Sequence, residues 1–239
     1  MSTPSIIFVH GIRTSATMWR GQIELHEAAG RRVAAVDLPA HGNRMDEPFT
    51  LAGARAAIDE AVADLPGPHV VVGLSMGGYI ALHWAARAEQ PPAAILAASC
   101  CTQPSGAALA GYRAVAGAIE ALPDRGRFIG NTMARLTLSQ DAARDVNAGG
   151  VPWGVMGPAL TAMNEVDTLA DLAAIEAPIW FVNGAWDHFR TQERRFVAAA
   201  QYAQLCVVPR AGHLVSLDRP EAFARLTGLL VERTRLVTA

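Results

Sequence analysis

The stretch "VVVGLSMGGYI", Val70 to Ile80, decides the fold. An apolar run enters Gly73-Leu74-Ser75-Met76-Gly77-Gly78 and turns apolar again. A buried strand that meets G-x-S-x-G and leaves as a helix makes a very sharp turn. Only small residues flank such a bend without clashing, which accounts for Gly73 and Gly77. The bend would lift the Ser75 hydroxyl clear of a sheet and aim the N-terminus of the next helix at it.

Working outward, short apolar runs alternate with helical stretches. Strands are predicted at 5–10 ("SIIFVH"), 31–38 ("RRVAAVDL"), 69–75, 93–100 ("AAILAASC"), 179–185 and 204–211. Helices are predicted at 17–29, 50–65 with Thr50 as its cap, 76–89, 191–202 and 220–235. The strands read as continuous apolar runs, the pattern of strands covered on both faces. Six of them joined by helices predict an α/β fold: a doubly wound, mostly parallel six-stranded sheet.

One segment breaks the rhythm. Residues 102–175 contain helical pieces at 109–122 and 128–138 and the loop-prone "NAGGVPWGVMGP" (147–158). That is too long for a simple crossover. It is expected to be a helical cap inserted into a core formed by 1–101 and 176–239.

Composition narrows the function. The chain has 239 residues, 51% of them hydrophobic, and a net charge of -2 with no block of like charges. This argues against a nucleic-acid surface. No apolar stretch approaches a membrane span and no signal-peptide core is visible, so a cytoplasmic home is the default expectation. Cys100, Cys101 and Cys206 are odd in number and form no CxxC pair, so buried reduced thiols are expected rather than disulfides or a zinc site. The oligomeric state is open, a homodimer included.

In a parallel sheet, ligands bind beyond the carboxyl ends of the strands. Those ends carry His10-Gly11, Asp37, Ser75, Ser99-Cys100 and Asp187, with His213 in the last loop. A serine hydroxyl is a weak nucleophile without a base. His213, after the last strand, can supply one. Asp187, at the end of the next-to-last strand, can fix its tautomer. The order Ser, Asp, His is the one expected of this architecture. A tetrahedral intermediate needs two preorganised donors, assigned here to the backbone N–H groups of Ile12 and Met76. Lining of a small apolar pocket is assigned to His10, Gly11, Trp153, Met133, Met156 and Trp186. Each of these also has a plain structural reading, as loop, rim or cap core.

These pieces resemble the α/β-hydrolase fold, close in pattern to its esterase, lactonase and cofactor-free haloperoxidase branch. The matching stretches are "FVHG" (8–11), "DLPAHGNR" (37–44), "GLSMGG" (73–78), "NGAWDHF" (183–189) and "AGHLVSLDRPEAF" (211–223). The family's fullest form begins with two further strands, so this chain would be a compact version. The resemblance implies Ser75 as nucleophile, His213 as general base and acid, and Asp187 as orienting acid. It implies a small-molecule ester, lactone or thioester as substrate and no metal or organic cofactor. The same triad could instead cleave carbon–carbon bonds in diketo acids or run perhydrolysis; for the former, Arg13, Asn43 or Arg113 could meet a substrate carboxylate. A ligand receptor on the same fold is the third reading, disfavoured because all three residues are present.

Overall fold

The computed structural model describes residues 3–124 and 127–237; within this span the side chains of 107, 108, 131, 133, 135, 136 and 235–237 are outside the described set. Six strands form the sheet: β1 (Ser5–Val9), β2 (Val33–Val36), β3 (His69–Leu74), β4 (Ala94–Ala98), β5 (Ile179–Gly184) and β6 (Ala203–Val208). Their spatial order is β2-β1-β3-β4-β5-β6, and every pairing is parallel. The expected doubly wound sheet is therefore present.

The helices are α1 (Arg20–Ala28), α2 (Leu51–Asp64), α3 (Met76–Ala85), α4 (Gly106–Glu120), α5 (Arg127–Thr137), α6 (Gln140–Ala148), α7 (Met156–Met163), α8 (Thr168–Ala174), α9 (Glu193–Ala199), α10 (Val215–Asp218) and α11 (Pro220–Val237). Thr50 caps α2 as expected, its hydroxyl accepting from Gly53 N at 3.0 Å. None of the described helices is long and apolar enough to cross a membrane.

The pleat of each central strand feeds two cores. Ile7, Val9, Val71, Ile95 and Phe181 face one side, where Ile58, Ile80 and Phe196 from α2, α3 and α9 meet them. Ile6, Phe8, Val72, Leu96 and Val182 face the other, against Trp19, Phe223 and Leu230. Successive side chains point to opposite faces, so burial of both faces makes the strand read as an unbroken apolar run.

The edges depart from that expectation. β2 and β6 are only partly buried, because an edge strand has one neighbour and thinner cover. Cys206 on β6 is half-exposed, whereas Cys100 and Cys101 are buried free thiols. Burial drives the Cys100 thiol well above its ordinary range and Cys101 up to about 12, so neither is a ready thiolate. The predicted helices 76–89 and 191–202 end earlier or are shorter than expected, as α3 and α9.

Between β4 and β5 lie five helices, α4 to α8. Not all of this stretch stands apart from the sheet. Val155, Ala159, Met163, Val166 and Leu172 join the core on the α2/α3 side. Leu109 and Ala116 of α4 pack instead with Met156 and Leu160 of α7 in a small cluster of their own.

Candidate active site

Ser75 is the residue between β3 and α3, with φ 54° and ψ −120°. A non-glycine residue there is strained by about 1–3 kcal/mol and persists only where its surroundings fix it. Here they do. Ser75 N donates to Ala98 O at 2.8 Å, and Ser75 O accepts from Gly78 N and Tyr79 N at 2.9 and 3.2 Å. Ser75 is the one residue of 70–80 that is not fully buried.

The neighbouring glycines are dictated by close backbone approach. A Cβ on Gly73 would lie 2.3 Å from Gly77 O, one on Gly77 2.3 Å from Val9 O, and one on Gly78 2.7 Å from Cys100 Sγ. The helix thus starts pressed against β1 and β4. Gly77→Ala is expected to cost about 2–4 kcal/mol, since backbone rather than a mobile side chain must yield. Urea unfolding of the variant measures it; a loss under about 0.5 kcal/mol contradicts the packing described.

His213 lies between β6 and α10. Its Nδ1 is 2.9 Å from Asp187 Oδ1, and its Nε2 is 3.0 Å from Ser75 Oγ. The carboxylate can only accept, so Nδ1 carries the proton and Nε2 is left to accept from the serine hydroxyl. Asp187 Oδ1 also accepts from Phe189 N at 2.9 Å. Its loop and the His213 loop are tied together. Trp186 N donates to Ala211 O, Gly212 N donates to Asp218 Oδ2 at 2.6 Å, and a Cβ on Gly184 would strike Gly212 O.

Burial alone would push the Asp187 carboxyl up. The hydrogen bond and charge of His213, with the Phe189 N–H, outweigh it and hold the group below its usual range. The Ser99 hydroxyl sits near this carboxylate and favours its charge. Yet Ser99 Oγ and Asp187 Oδ2 both stay buried without meeting hydrogen-bond geometry, so we assign that contact no bond. Ser99 itself is held at φ 55°, its N–H shared by Val182 O and Asn183 Oδ1.

The loop after β1 curls over Ser75. A Cβ on Gly11 would sit 3.5 Å from Ser75 Cβ. Among the described residues, the N–H groups of Ile12 and Met76 donate to no acceptor of the chain. Ile12 lines the cavity above Ser75, and Met76 begins α3.

His10, expected in the pocket, lies beneath this loop and is fully buried. Its Nδ1 donates to Gly11 O at 2.8 Å and its Nε2 accepts from Leu38 N at 3.0 Å. His41 acts in the same way, accepting from Arg13 N at 3.3 Å and donating to Pro39 O at 2.8 Å. Both rings are neutral struts under the loop. Asp37 is another strut: its two oxygens accept from Ala16 N and Asn43 N.

Burial, then the nearby His41, pushes His10 down to about 3; burial lowers His41 as well. A folded pKa below the unfolded 6.5 means that the unfolded chain binds the extra proton. The associated stability is fully present above about pH 6.5 and is lost as pH falls toward 3. His10 alone should remove about 2 kcal/mol between pH 7 and pH 5. Urea midpoints across that range test this; His10→Asn, which keeps an amide at the site, should flatten the slope.

The cavity at Ser75 has a volume of about 260 Å³. Of the residues assigned to it, Gly11 and Met156 line it. Trp153 does not; it lines a neighbouring cleft with Met45 and Phe49 and lies under Arg13. Trp186 is 72% exposed and does not line it. The Met133 side chain lies outside the described residues. Of the polar candidates weighed for a substrate carboxylate, Arg113 bonds to Thr161 at 3.2 Å and Asn43 is on the surface.

The sequence reading missed Tyr112, Val115, Ala116 and Ile119, which line the cavity from α4. Their i, i+3, i+4, i+7 spacing was the available signal. It was diluted by the Ala and Gly around it. Phe189 was missed too; its ring lies 5.1 Å from that of His213 and 5.8 Å from Tyr112, linking α4 to the site.

A parallel sheet, a strained serine at a strand–helix turn and a histidine–carboxylate pair on it define an α/β hydrolase. The chain belongs to the alpha/beta hydrolase family, whose sequence profile matches residues 6–226. Over 93% of its length it is 27% identical to a pimeloyl-[acyl-carrier protein] methyl ester esterase of Chromobacterium violaceum, covering 92% of that protein. It superposes on a thermophilic esterase from Thermogutta terrifontis with a TM-score of 0.76 at 23% identity, over 97% of this chain and 90% of that one. An enol-lactonase from Burkholderia xenovorans gives 0.74 at 19% identity, over 97% and 92%. The two structural likenesses bear on the fold.

Proposed function

We propose that the protein is a serine hydrolase that cleaves a small, mostly apolar carboxylic ester, lactone or thioester through an acyl-enzyme on Ser75. The supporting observation is the unbroken relay from Ser75 Oγ through His213 to Asp187, at 3.0 and 2.9 Å. Ser75 Oγ attacks the carbonyl carbon as its proton passes to His213 Nε2. Asp187, charged and buried, stabilises the imidazolium. The oxyanion rests on the N–H groups of Ile12 and Met76, which donate to no acceptor among the described residues. His213 then protonates the leaving oxygen or sulfur as its bond to the acyl carbon breaks. Water attacks the acyl-enzyme, its proton goes to His213, and Ser75 leaves with that proton as the acid product departs.

The cavity supports a small substrate: α4 and Met156 give it apolar walls. The helices α4 to α7 act as its cap, and α8 as part of the crossover. A kinetic screen of aryl esters of rising acyl length, with lactones and acyl thioesters alongside, tests the reading. Turnover is expected to peak at a short or medium acyl chain. Turnover of ring-fission diketo acids without turnover of any ester would overturn it.

A further inference from the structure

One charged side chain of this cavity has no task in the relay. Arg13 lines the cavity together with Ser75 and His213, and among the described residues it is the one permanently charged side chain to do so. Its guanidinium carbon lies over the Trp153 ring, 4.3 Å from the centroid. A Cβ on Gly130 of α5 would come 3.7 Å from its Nη2 and 3.5 Å from Trp153. Gly130 of α5 therefore lies close against the pair.

The backbone is held as firmly. Arg13 has φ 61°, a conformation that a long side chain adopts only at a cost. Its N–H is fixed on His41 Nε2. The chain accepts strain at a position that lines the cavity.

The charge is left open. Among the described residues, no carboxylate lies within ion-pair distance of Arg13. Burial weakens its hold on the proton, and Glu120 offsets this from beyond contact; an arginine nevertheless keeps its charge. A half-buried, unpaired cation beside apolar walls is costly unless an anion completes it. The guanidinium fork offers paired donors that match a carboxylate. Contact with the Trp153 ring restrains the group beforehand, so less freedom is lost when the anion arrives.

We propose that Arg13 is a specificity-determining residue and that the substrate is an ester or thioester carrying a carboxylate elsewhere on the same molecule, seated on this guanidinium. The proposal rests on Ser75 being the nucleophile, since it places the anchor and the scissile carbonyl in one cavity. It differs from a purely apolar pocket in requiring a doubly functional substrate.

The test compares 4-nitrophenyl half-esters of dicarboxylic acids, of four to eight carbons, with 4-nitrophenyl esters of neutral acids of equal length. Acetylated hydroxy acids place the carboxylate on the leaving group instead. At the best length, kcat/KM for the carboxylated ester should exceed that for its neutral match by about tenfold or more, mostly through KM. In Arg13→Met the ratio should fall to about one, and Arg13→Lys should recover part of it. Whichever series shows the preference tells on which side the carboxylate sits. Neutral esters turned over with no preference in either series would overturn the proposal and leave the hydrolase reading intact. A second readout does not depend on turnover. Calorimetric titration with adipic acid monoamide should give binding that hexanamide lacks and that Arg13→Met loses. Equal binding of the two amides would overturn the proposal even if no ester proved cleavable, a result that would separately sink the hydrolase reading.

Discussion

Ser75→Ala is expected to lower kcat for whichever ester is turned over by about 10³–10⁶-fold while the fold is retained. The hydroxyl is the attacking atom in the proposed reaction, and Ser-His-Asp enzymes lose rates of this order when it is removed. The fold should survive because the strain sits in the backbone. Alanine can take φ 54° no worse than serine, and the bonds from Ser75 N to Ala98 O and from Gly78 N to Ser75 O are main-chain. The activity that remains reports on binding and on the Ile12 and Met76 N–H groups alone. Circular dichroism, a urea midpoint close to the parent's and initial rates at saturating substrate together make the measurement. A loss of under tenfold would mean that Ser75 is not the nucleophile.

Asp187→Asn should lower kcat by about 10⁴-fold, close to 5 kcal/mol in the barrier. An amide nitrogen facing His213 Nδ1 would donate to it, turning the ring to the tautomer that holds its proton at Nε2. Ser75 Oγ would then face a donor instead of a base. The neutral amide also gives the imidazolium no compensating charge. Because Asp187 Oδ2 already lacks a partner and Oδ1 is bound by His213 and Phe189 N, the substitution creates few new unsatisfied groups. Stability should move much less than rate. A pH–rate profile distinguishes this from general damage: activity should partly return at high pH, where hydroxide replaces the missing base. A uniform loss at all pH values would point to a collapsed loop instead.

How far the sequence reaches can be argued from particular residues. Central strands were legible because burial of both faces leaves a run such as 70–74 without polar interruption. The edge strands β2 and β6 carry similar composition but half the cover, and composition does not record how many neighbours a strand has. Gly73, Gly77 and Gly78 were legible as a requirement for small residues. For Gly73 the group that imposes it is the nearby Gly77 O; for Gly77 and Gly78 they are Val9 O, His10 O and Cys100 Sγ, at the ends of strands distant in sequence. The relay was legible because chain order and strand ends fix where Ser75, Asp187 and His213 meet. Pocket lining was not, because it depends on how α4 and α7 pack over the sheet, and no periodic signal in the insertion fixes that angle. His10 shows the difference: its place at the end of β1 suggested a pocket residue, whereas two backbone groups claim both of its ring nitrogens. Arg13 shows the converse. In sequence it is one of three side chains, with Asn43 and Arg113, open to a substrate carboxylate; in space it is the one that lines the Ser75 cavity, with no ion-pair partner among the described residues.

The most direct test of the central claim is covalent. Folded protein is treated with a fluorophosphonate, which reacts with a serine only where a neighbouring base activates it, and is then weighed intact and mapped by peptide mass spectrometry. A single adduct on the peptide containing Ser75 is expected, absent in Ser75→Ala and strongly slowed in a His213→Ala variant. No adduct in folded protein, or labelling that persists unchanged when Ser75 is replaced, would contradict the account.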